Sequence, residues 1–252
     1  MAKRNVKTTE YKNPPQTLTD HVFFGMKLDE QQAEYRDAIW DPEKLVVFCD
    51  AKAGSGKTQI AVMTAELLYQ YGRYEGIVYI TAPVQEGKLG FLPGTVQEKL
   101  EIYNEPFYQA AMKANIDVQH AFFGNAENDK YGNPYIECMS HNYLRGCNFE
   151  NKVVIVDEAQ NFYLDELKKV LTRMHDTCKV IVIGHTGQVD LYHNPQNSGF
   201  YPYLKHFENV EWAKVCKLET NYRGKISNHA DDLILSRQTA ISESNSSIME
   251  AA

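Results

Sequence analysis

The chain has 252 residues, of which 43% are hydrophobic and 23% are charged. This composition is close to the average of soluble globular proteins and excludes a chain that is disordered throughout. Twenty-six Lys and Arg against 33 Asp and Glu give a formal net charge of −7. The whole chain therefore lacks the basic excess of a dedicated nucleic-acid-binding protein, although an acidic protein can still carry a local cationic groove.

Membrane and secretory signals are not visible in the sequence. No run approaches the ~18 apolar residues of a membrane span, and the first 30 residues contain no apolar core of a signal peptide. The five cysteines are widely spaced and form no C-x-x-C pair, which predicts neither a zinc site nor a disulfide framework. We therefore expect a cytoplasmic protein that does not contact a membrane.

The two ends of the chain differ in composition from its middle. Residues 1–19 are polar, contain a Pro-Pro pair and offer little to bury, so we predict a flexible N-terminal arm. Residues 236–252 are rich in Ser, Asn and Glu and predict a flexible C-terminal tail. Residues 20–235 are predicted to form one domain.

Short apolar runs alternate with segments of helical periodicity inside this domain. Helices are predicted over residues 29–40, where Asp29 can cap the first turn, and over residues 58–71. Unbroken apolar runs of strand length occupy residues 45–49, 76–81, 152–156 and 179–183. Such runs are typical of a parallel sheet that is covered on both faces. The fold class is therefore α/β, with a mostly parallel sheet and helices on both faces.

A glycine-containing loop follows the first predicted strand. Residues 51–58 read Ala-Lys-Ala-Gly-Ser-Gly-Lys-Thr and open a helix. Gly54 and Gly56 allow the backbone to approach phosphates, Lys57 supplies a cation, and Thr58 supplies a hydroxyl for Mg²⁺. Ala51 departs from the pattern, which begins with Gly, and the alternative is an ordinary strand-to-helix turn. The candidate nucleotide-binding residues of the loop are Ala53, Gly54, Ser55, Gly56, Lys57 and Thr58.

The predicted strand at residues 152–156 ends in two carboxylates. In phosphate-loop enzymes, an Asp at this position supports Mg²⁺ and a following Glu polarises the attacking water. Asp157 and Glu158 fit these roles, with Thr58 as the second metal-binding residue. The alternative is a helix N-terminus that carries acidic residues.

Further polar residues are candidates for contacts with the γ-phosphate. Gln188 follows the strand at residues 179–183 and could sense that phosphate by hydrogen bonding. A guanidinium stabilises the negative charge of phosphoryl transfer, and three arginines compete for this role: Arg145, Arg173 and Arg223.

Several ordered motifs resemble the PhoH-like ATPases, which are related to the superfamily 1 helicase core. The most specific is residues 84–94, Val-Gln-Glu-Gly-Lys-Leu-Gly-Phe-Leu-Pro-Gly, and the resemblance extends over residues 32–235. The other matching segments are residues 98–99, 144–146, 157–161, 171–173, Gly184 with 188–191, and 198–199. Three positions depart from the family pattern: Ala51, Ala82 in place of Arg, and His185 in place of Asp.

The helicase relatives add two expectations. Gln32 resembles the glutamine that reads adenine in those enzymes. Residues 218–223 resemble the segment whose arginine reaches the γ-phosphate, so Arg223 is the leading arginine.

The resemblance implies an Mg²⁺-dependent ATPase with a single RecA-like domain, coupled to RNA or single-stranded DNA. The implied catalytic residues are Lys57, Glu158, Gln188 and Arg223. Because superfamily 1 helicases place the nucleotide between two such domains, we expect a homo-oligomer, such as a hexameric ring. The alternatives are an oligomeric helicase or translocase motor and an ATP-binding switch with little hydrolysis.

Overall fold

The computed structural model describes residues 13–19, 23–82, 96–123, 133–144, 146–187 and 197–230. Its centre is one six-stranded sheet with the strand order β3-β2-β4-β5-β1-β6, in which all neighbouring strands run parallel. The strands are β1 (Val46–Ala51), β2 (Gly76–Thr81), β3 (Ile136–Ser140), β4 (Lys152–Asp157), β5 (Lys179–Gly184) and β6 (Ala213–Leu218).

Five helices accompany the sheet in the described ranges. They are α1 (Glu30–Trp40), α2 (Lys57–Gln70), α3 (Val96–Lys113), α4 (Leu164–Leu171) and α5 (Phe200–Phe207). A further helical segment covers residues 225–230. Short 3₁₀ turns follow β3 and β4, at His141–Tyr143 and Ala159–Asn161.

Each central strand is buried on both faces because its alternate side chains enter two different cores. Val47 and Cys49 of β1 pack in the core shared with α1, α2 and α3. Val46 and Phe48 of the same strand pack in the core shared with α4 and α5. A strand buried on both faces is apolar along nearly its whole length. This confirms the predicted α/β class with a single parallel sheet and helices on both faces.

The described part of the N-terminal segment lies against the domain. Trp40 Nε1 donates a hydrogen bond to the backbone oxygen of Pro15 (3.0 Å), and Leu18 is buried. Residues 1–12 and 231–252 lie outside the described ranges, so the predicted arm, domain limits and tail stay predictions. Among the helices that the structure describes, none is long and apolar enough to cross a bilayer.

A buried lysine holds the connection between α1 and β1. Lys179, at the start of β5, donates hydrogen bonds to the backbone oxygens of Asp41 (2.6 Å) and Lys44. Burial, together with the positive charge of Arg73, lowers the pKa of Lys179 to about 7. An uncharged amine still has N–H donors for both oxygens, so the connection persists when the proton is lost.

The free energy of unfolding is therefore expected to rise with pH near neutrality. The pKa of Lys179 is lowered in the folded state, so above pH 7 the unfolded chain binds more protons than the folded one. Urea denaturation at several pH values between about 7 and 8.5 should show this rise in the wild type and a flatter profile in Lys179→Met. Parallel profiles for the two proteins would contradict the assignment.

Candidate functional site

The loop between β1 and α2 contains two glycines with a left-handed backbone. Gly54 and Gly56 have φ angles of 73° and 83°, in the left-handed region that favours glycine. Ala51 is the last residue of β1 and is extended, so this position does not require the flexibility of glycine. The departure of the sequence at Ala51 therefore leaves the loop geometry intact.

The backbone N–H groups in the first turn of α2 are available as hydrogen-bond donors. Its N-cap residue, Gly56, makes no side-chain capping hydrogen bond, although the first N–H groups of a helix have no partner within the helix. Ser55 Oγ is buried and has no hydrogen-bond partner among the described residues. Such an orphaned hydroxyl and an uncapped helix N-terminus fit an anion such as a phosphate group.

Asp157 connects the end of β4 to the start of α2. Thr58 Oγ1 donates to Asp157 Oδ2 (2.8 Å), and the backbone N–H of Glu158 donates to Asp157 Oδ1 (2.9 Å). Burial and the neighbouring charge of Glu158 raise the pKa of Asp157, while Lys57 and the hydrogen bond from Thr58 act in the opposite direction. A hydroxyl and a carboxylate side by side are oxygen donors of the kind that Mg²⁺ prefers.

Glu158 stands between the loop lysine and a buried glutamine. Its Oε1 lies 3.5 Å from Lys57 Nζ, and its Oε2 accepts a hydrogen bond from Gln160 Nε2 (2.5 Å). Gln160 Oε1 in turn accepts from the backbone N–H of His185 (3.1 Å). Glu158 has a left-handed backbone, with φ 51°, which is uncommon for a residue with a side chain. The Glu158 side chain is nonetheless 46% exposed, so water reaches it.

The segment after β6 packs directly on the loop. The backbone N–H of Tyr222 donates to the oxygen of Gly54 (3.0 Å), and the aliphatic part of Arg223 lies across the same glycine. Asn221 Oδ1 accepts from the backbone N–H of Arg223 (2.9 Å) and holds this turn. Arg223 is therefore beside the phosphate-binding loop of its own chain.

Gln32 fastens the start of α1 to the loop. Its side-chain oxygen accepts from the backbone N–H of Asp29 (3.1 Å), which closes a capping box. Its Nε2 donates to the backbone oxygen of Ser55 (2.9 Å). Asp29 also accepts a hydrogen bond from the hydroxyl of Tyr222, so α1, the loop and the segment after β6 form one cluster.

A further contact joins β1 to the end of β5. Asp50 accepts hydrogen bonds from Thr186 N (2.9 Å) and Thr186 Oγ1 (2.8 Å), and His185 Nδ1 lies 3.8 Å from Asp50 Oδ1. Burial opposes ionisation of Asp50, but the nearby His185 imidazole and the hydrogen bonds from Thr186 outweigh it and lower the pKa of Asp50. His185, which departs from the family pattern, thus lies where hydrogen bonds join β1 to the end of β5.

The structure separates the candidate arginines. Arg173 follows α4, and its backbone oxygen accepts from Phe149 N, ahead of β4 and at the opposite edge of the sheet from the loop. Arg145, Gln188 and the motif at residues 84–94 lie outside the described residues, so their roles stay predictions. Of the predicted site residues within the described ranges, all except Arg173 lie in or beside the cluster formed by the loop, the β4 end and the segment after β6.

A model of the family described as "PhoH-like protein" matches residues 26–233. This range covers most of the chain and contains every site residue discussed above. The chain belongs to the PhoH-like family. The resemblance read from the sequence motifs is therefore confirmed.

Two relatives show how much of a PhoH-like protein is present. The chain is 33% identical over 193 residues to protein PhoH of Escherichia coli strain K12, which covers 75% of this chain and 51% of that protein. It is 35% identical over 191 residues to a PhoH-like protein of Synechocystis, covering 75% of this chain and 55% of that protein. The chain thus spans about half the length of these relatives. A solved structure titled "The structure of PRRSV helicase" has a TM-score of 0.37, 13% identity and coverage of 73% of this chain and 32% of that one.

The close contact at Gly54 predicts a stability difference between two glycine variants of this PhoH-like domain. In Gly54→Ala the new Cβ would collide with Asn221 Oδ1 and lie 2.7 Å from Arg223 Cγ. Gly25→Ala has a similar φ, 68° against 73°, but its Cβ meets nothing within 4 Å. Backbone strain is therefore common to both, and steric overlap is specific to Gly54.

We expect Gly54→Ala to lower the free energy of unfolding by about 1–3 kcal/mol more than Gly25→Ala. Urea denaturation of the two variants and the wild type measures the difference. Equal losses would show that the segment after β6 does not press on the loop.

Proposed function

We propose that this PhoH-like domain binds ATP with Mg²⁺ and hydrolyses it, and that hydrolysis is coupled to RNA or single-stranded DNA. The observation that carries the proposal is the 2.8 Å hydrogen bond from Thr58 Oγ1 to Asp157 Oδ2, with Lys57 and Glu158 paired beside it. The bond joins a phosphate-binding loop to an acidic strand end, which is the arrangement that phosphoryl transfer to water requires.

The loop binds the phosphates of ATP. The backbone N–H groups at the N-terminus of α2 point positive charge at the anion, and Ser55 Oγ supplies a further donor. Lys57 leaves Glu158 and pairs with the β- and γ-phosphates. The amide of Gln32, which keeps one free N–H after its bond to Ser55, contacts the adenine edge.

The metal site consists of Thr58 and Asp157. Bound Mg²⁺ neutralises part of the phosphate charge and fixes the reacting phosphoryl group. Thr58 offers a lone pair of its hydroxyl oxygen, while its O–H keeps donating to Asp157 Oδ2. The carboxylate of Asp157 is held on both oxygens and cannot rotate freely.

Glu158 activates the attacking water. When Lys57 turns to the phosphates, Glu158 Oε1 becomes free, while Gln160 continues to hold Oε2. The carboxylate accepts a proton from water as the water oxygen bonds to the γ-phosphorus. The bond from that phosphorus to the β-γ bridging oxygen breaks, and ADP and phosphate are released.

Two side chains act on the charge that develops during this transfer. Arg223, already against Gly54, extends its guanidinium to the γ-phosphate and stabilises the equatorial oxygens. Gln188, for which the sequence is the only guide, senses the γ-phosphate by hydrogen bonding.

Exposed tyrosines favour coupling to single-stranded nucleic acid. Tyr143 follows β3 and Tyr163 follows β4, so both lie at the edge of the sheet that carries the ATP site, with exposures of 55% and 37%. Their segments are joined through Glu166, which bonds to His141 Nε2 (3.2 Å) and to the backbone N–H of Tyr163 (2.9 Å). Bases stack on such side chains without sequence preference.

The assembly follows from the partial site. One RecA-like domain leaves the outer side of the nucleotide uncovered, and the neighbouring Ile226 is 90% exposed. A homo-oligomeric ring, such as a hexamer, covers that side with a second subunit. The five cysteines are all unpaired, which fits a reducing cytoplasm. Mass measurement in solution that finds only monomer, with and without ATP, would contradict the ring.

The test of the function is steady-state release of phosphate from ATP. We expect release with Mg²⁺, none after chelation of Mg²⁺ with EDTA, and a higher rate when single-stranded RNA or DNA is added. If nucleic acid does not change the rate of phosphate release, coupling is overturned and ATP hydrolysis alone remains. Tight ATP binding without release under any condition would overturn hydrolysis and favour the switch.

A further inference from the structure

Tyr79 brings a hydroxyl group into the core beneath the site. It lies in β2 among the apolar side chains of Ile77, Val78 and Ile80, and it is 1% exposed. Its ring packs against Phe107, with the ring centroids 4.6 Å apart. A phenylalanine would fill the same space, and a buried hydroxyl costs free energy unless it has a hydrogen-bond partner. The hydroxyl therefore calls for an explanation beyond packing.

The partner of this hydroxyl is the metal-site carboxylate. Tyr79 Oη donates to Asp157 Oδ2 (2.9 Å), the same oxygen that accepts from Thr58 Oγ1 (2.8 Å). Asp157 Oδ1 accepts from the backbone N–H of Glu158 (2.9 Å). The carboxylate thus accepts hydrogen bonds from Tyr79 in β2, from Thr58 in α2 and from the backbone N–H of the next residue, Glu158. Of these contacts, only the one from Tyr79 comes from a residue outside the two sequence motifs.

We propose that Tyr79 is a positioning residue that fixes the Asp157 carboxylate for Mg²⁺ binding. This inference rests on the proposed ATPase function. Groups that orient a metal-binding side chain without touching the metal commonly change metal affinity by about 10–100-fold when removed. Without the hydroxyl, Asp157 Oδ2 keeps Thr58 as its donor, but the carboxylate loses its contact on the β2 side. It then has to be reoriented each time Mg²⁺ binds.

A second tyrosine provides a matched control. Tyr135 Oη donates to Glu66 Oε2, also at 2.9 Å, and its ring packs at the margin of the same core. Neither Tyr135 nor Glu66 belongs to the site. Tyr135→Phe and Tyr79→Phe therefore each remove one hydroxyl that bonds to a carboxylate, and they differ in which carboxylate is released.

The experiment measures the affinity of both variants and the wild type for a fluorescent ADP analogue over a range of Mg²⁺ concentrations. Thermal unfolding of the same samples reports stability. We expect Tyr79→Phe to raise the Mg²⁺ concentration for half-maximal binding about tenfold, with unchanged nucleotide affinity in EDTA. Tyr135→Phe should keep the wild-type Mg²⁺ dependence, whatever stability it loses.

The outcomes separate this inference from the function on which it rests. A Mg²⁺-dependent wild type with the same half-maximal concentration in Tyr79→Phe would overturn the positioning role alone. An equal shift in Tyr135→Phe would also overturn it, because the effect would then follow from general loosening of the core. A wild type whose nucleotide affinity does not respond to Mg²⁺ would overturn the proposed function and this inference with it.

Discussion

Replacing Lys57 with alanine is expected to abolish ATP hydrolysis and to weaken ATP binding about a hundredfold. Lys57 is the first residue of α2, and its side chain is only 13% exposed. Its ammonium group is held at the mouth of the loop by Glu158, 3.5 Å away. In the mutant, the phosphates keep their backbone donors but lose the cation that offsets their charge.

The matched control for this variant is Lys52→Ala. Lys52 belongs to the same loop and carries the same charge, and its backbone N–H is bonded to the oxygen of Leu218 (2.9 Å). Titration with a fluorescent ATP analogue and phosphate release measure both variants. We expect Lys52→Ala to keep most of the wild-type affinity. If both lysines gave the same loss, general charge rather than a specific phosphate contact would explain the binding.

Arg223→Ala is expected to lower the rate constant of hydrolysis roughly a thousandfold, as removal of a transition-state arginine does. The aliphatic part of Arg223 already lies against Gly54, so in the proposed mechanism the guanidinium would reach the γ-phosphate without a large movement of the backbone. The charge it stabilises develops in the transition state, so ATP binding should weaken much less than the rate falls.

The control is Arg173→Ala, which changes the same charge at the opposite edge of the sheet. Phosphate release at saturating ATP, with the Kd of ATP measured separately, distinguishes rate from binding. Arg173→Ala should keep the wild-type rate constant. A normal rate in Arg223→Ala would show that this arginine only packs on the loop and that another cation stabilises the transferred group.

The four central strands of the fold could be predicted from the sequence because burial on both faces leaves a continuous apolar signal. β1, β2, β4 and β5 all show it, and each begins within one residue of its predicted position. The two edge strands escaped prediction. β3 (Ile136–Ser140) and β6 (Ala213–Leu218) have exposed or half-exposed residues between their buried ones, so their apolar runs are broken.

The candidate site also has residues that the sequence predicts and one that it does not. Lys57, Thr58, Asp157 and Glu158 lie in local motifs whose spacing along the chain is itself the signal. Tyr79 becomes a neighbour of Asp157 only because β2 and β4 pair in a particular register, with Thr81 beside Asp157. Contacts of this kind depend on strand order, which a single sequence does not specify. A tyrosine among the apolar residues of β2 was the only available hint.

The contact between Asp50 and Thr186 was hidden for the same reason. These residues are far apart in sequence and meet only because β5 pairs with β1. The same pairing brings His185, which stands where the family pattern has Asp, beside the Asp50 carboxylate. The motif pattern alone shows a departure there, and the structure shows what the new residue contacts.

Single-turnover hydrolysis of bound ATP by the wild type and by Glu158→Gln tests the central claim most directly. The wild type, mixed with less than one equivalent of ATP and with Mg²⁺, should convert the bound nucleotide to ADP and phosphate. Glu158→Gln should bind ATP equally well but convert it about 10²–10⁴-fold more slowly, because the amide cannot accept the proton from water. Equal conversion rates in the two proteins would contradict the account, because the attacking water would then be activated elsewhere.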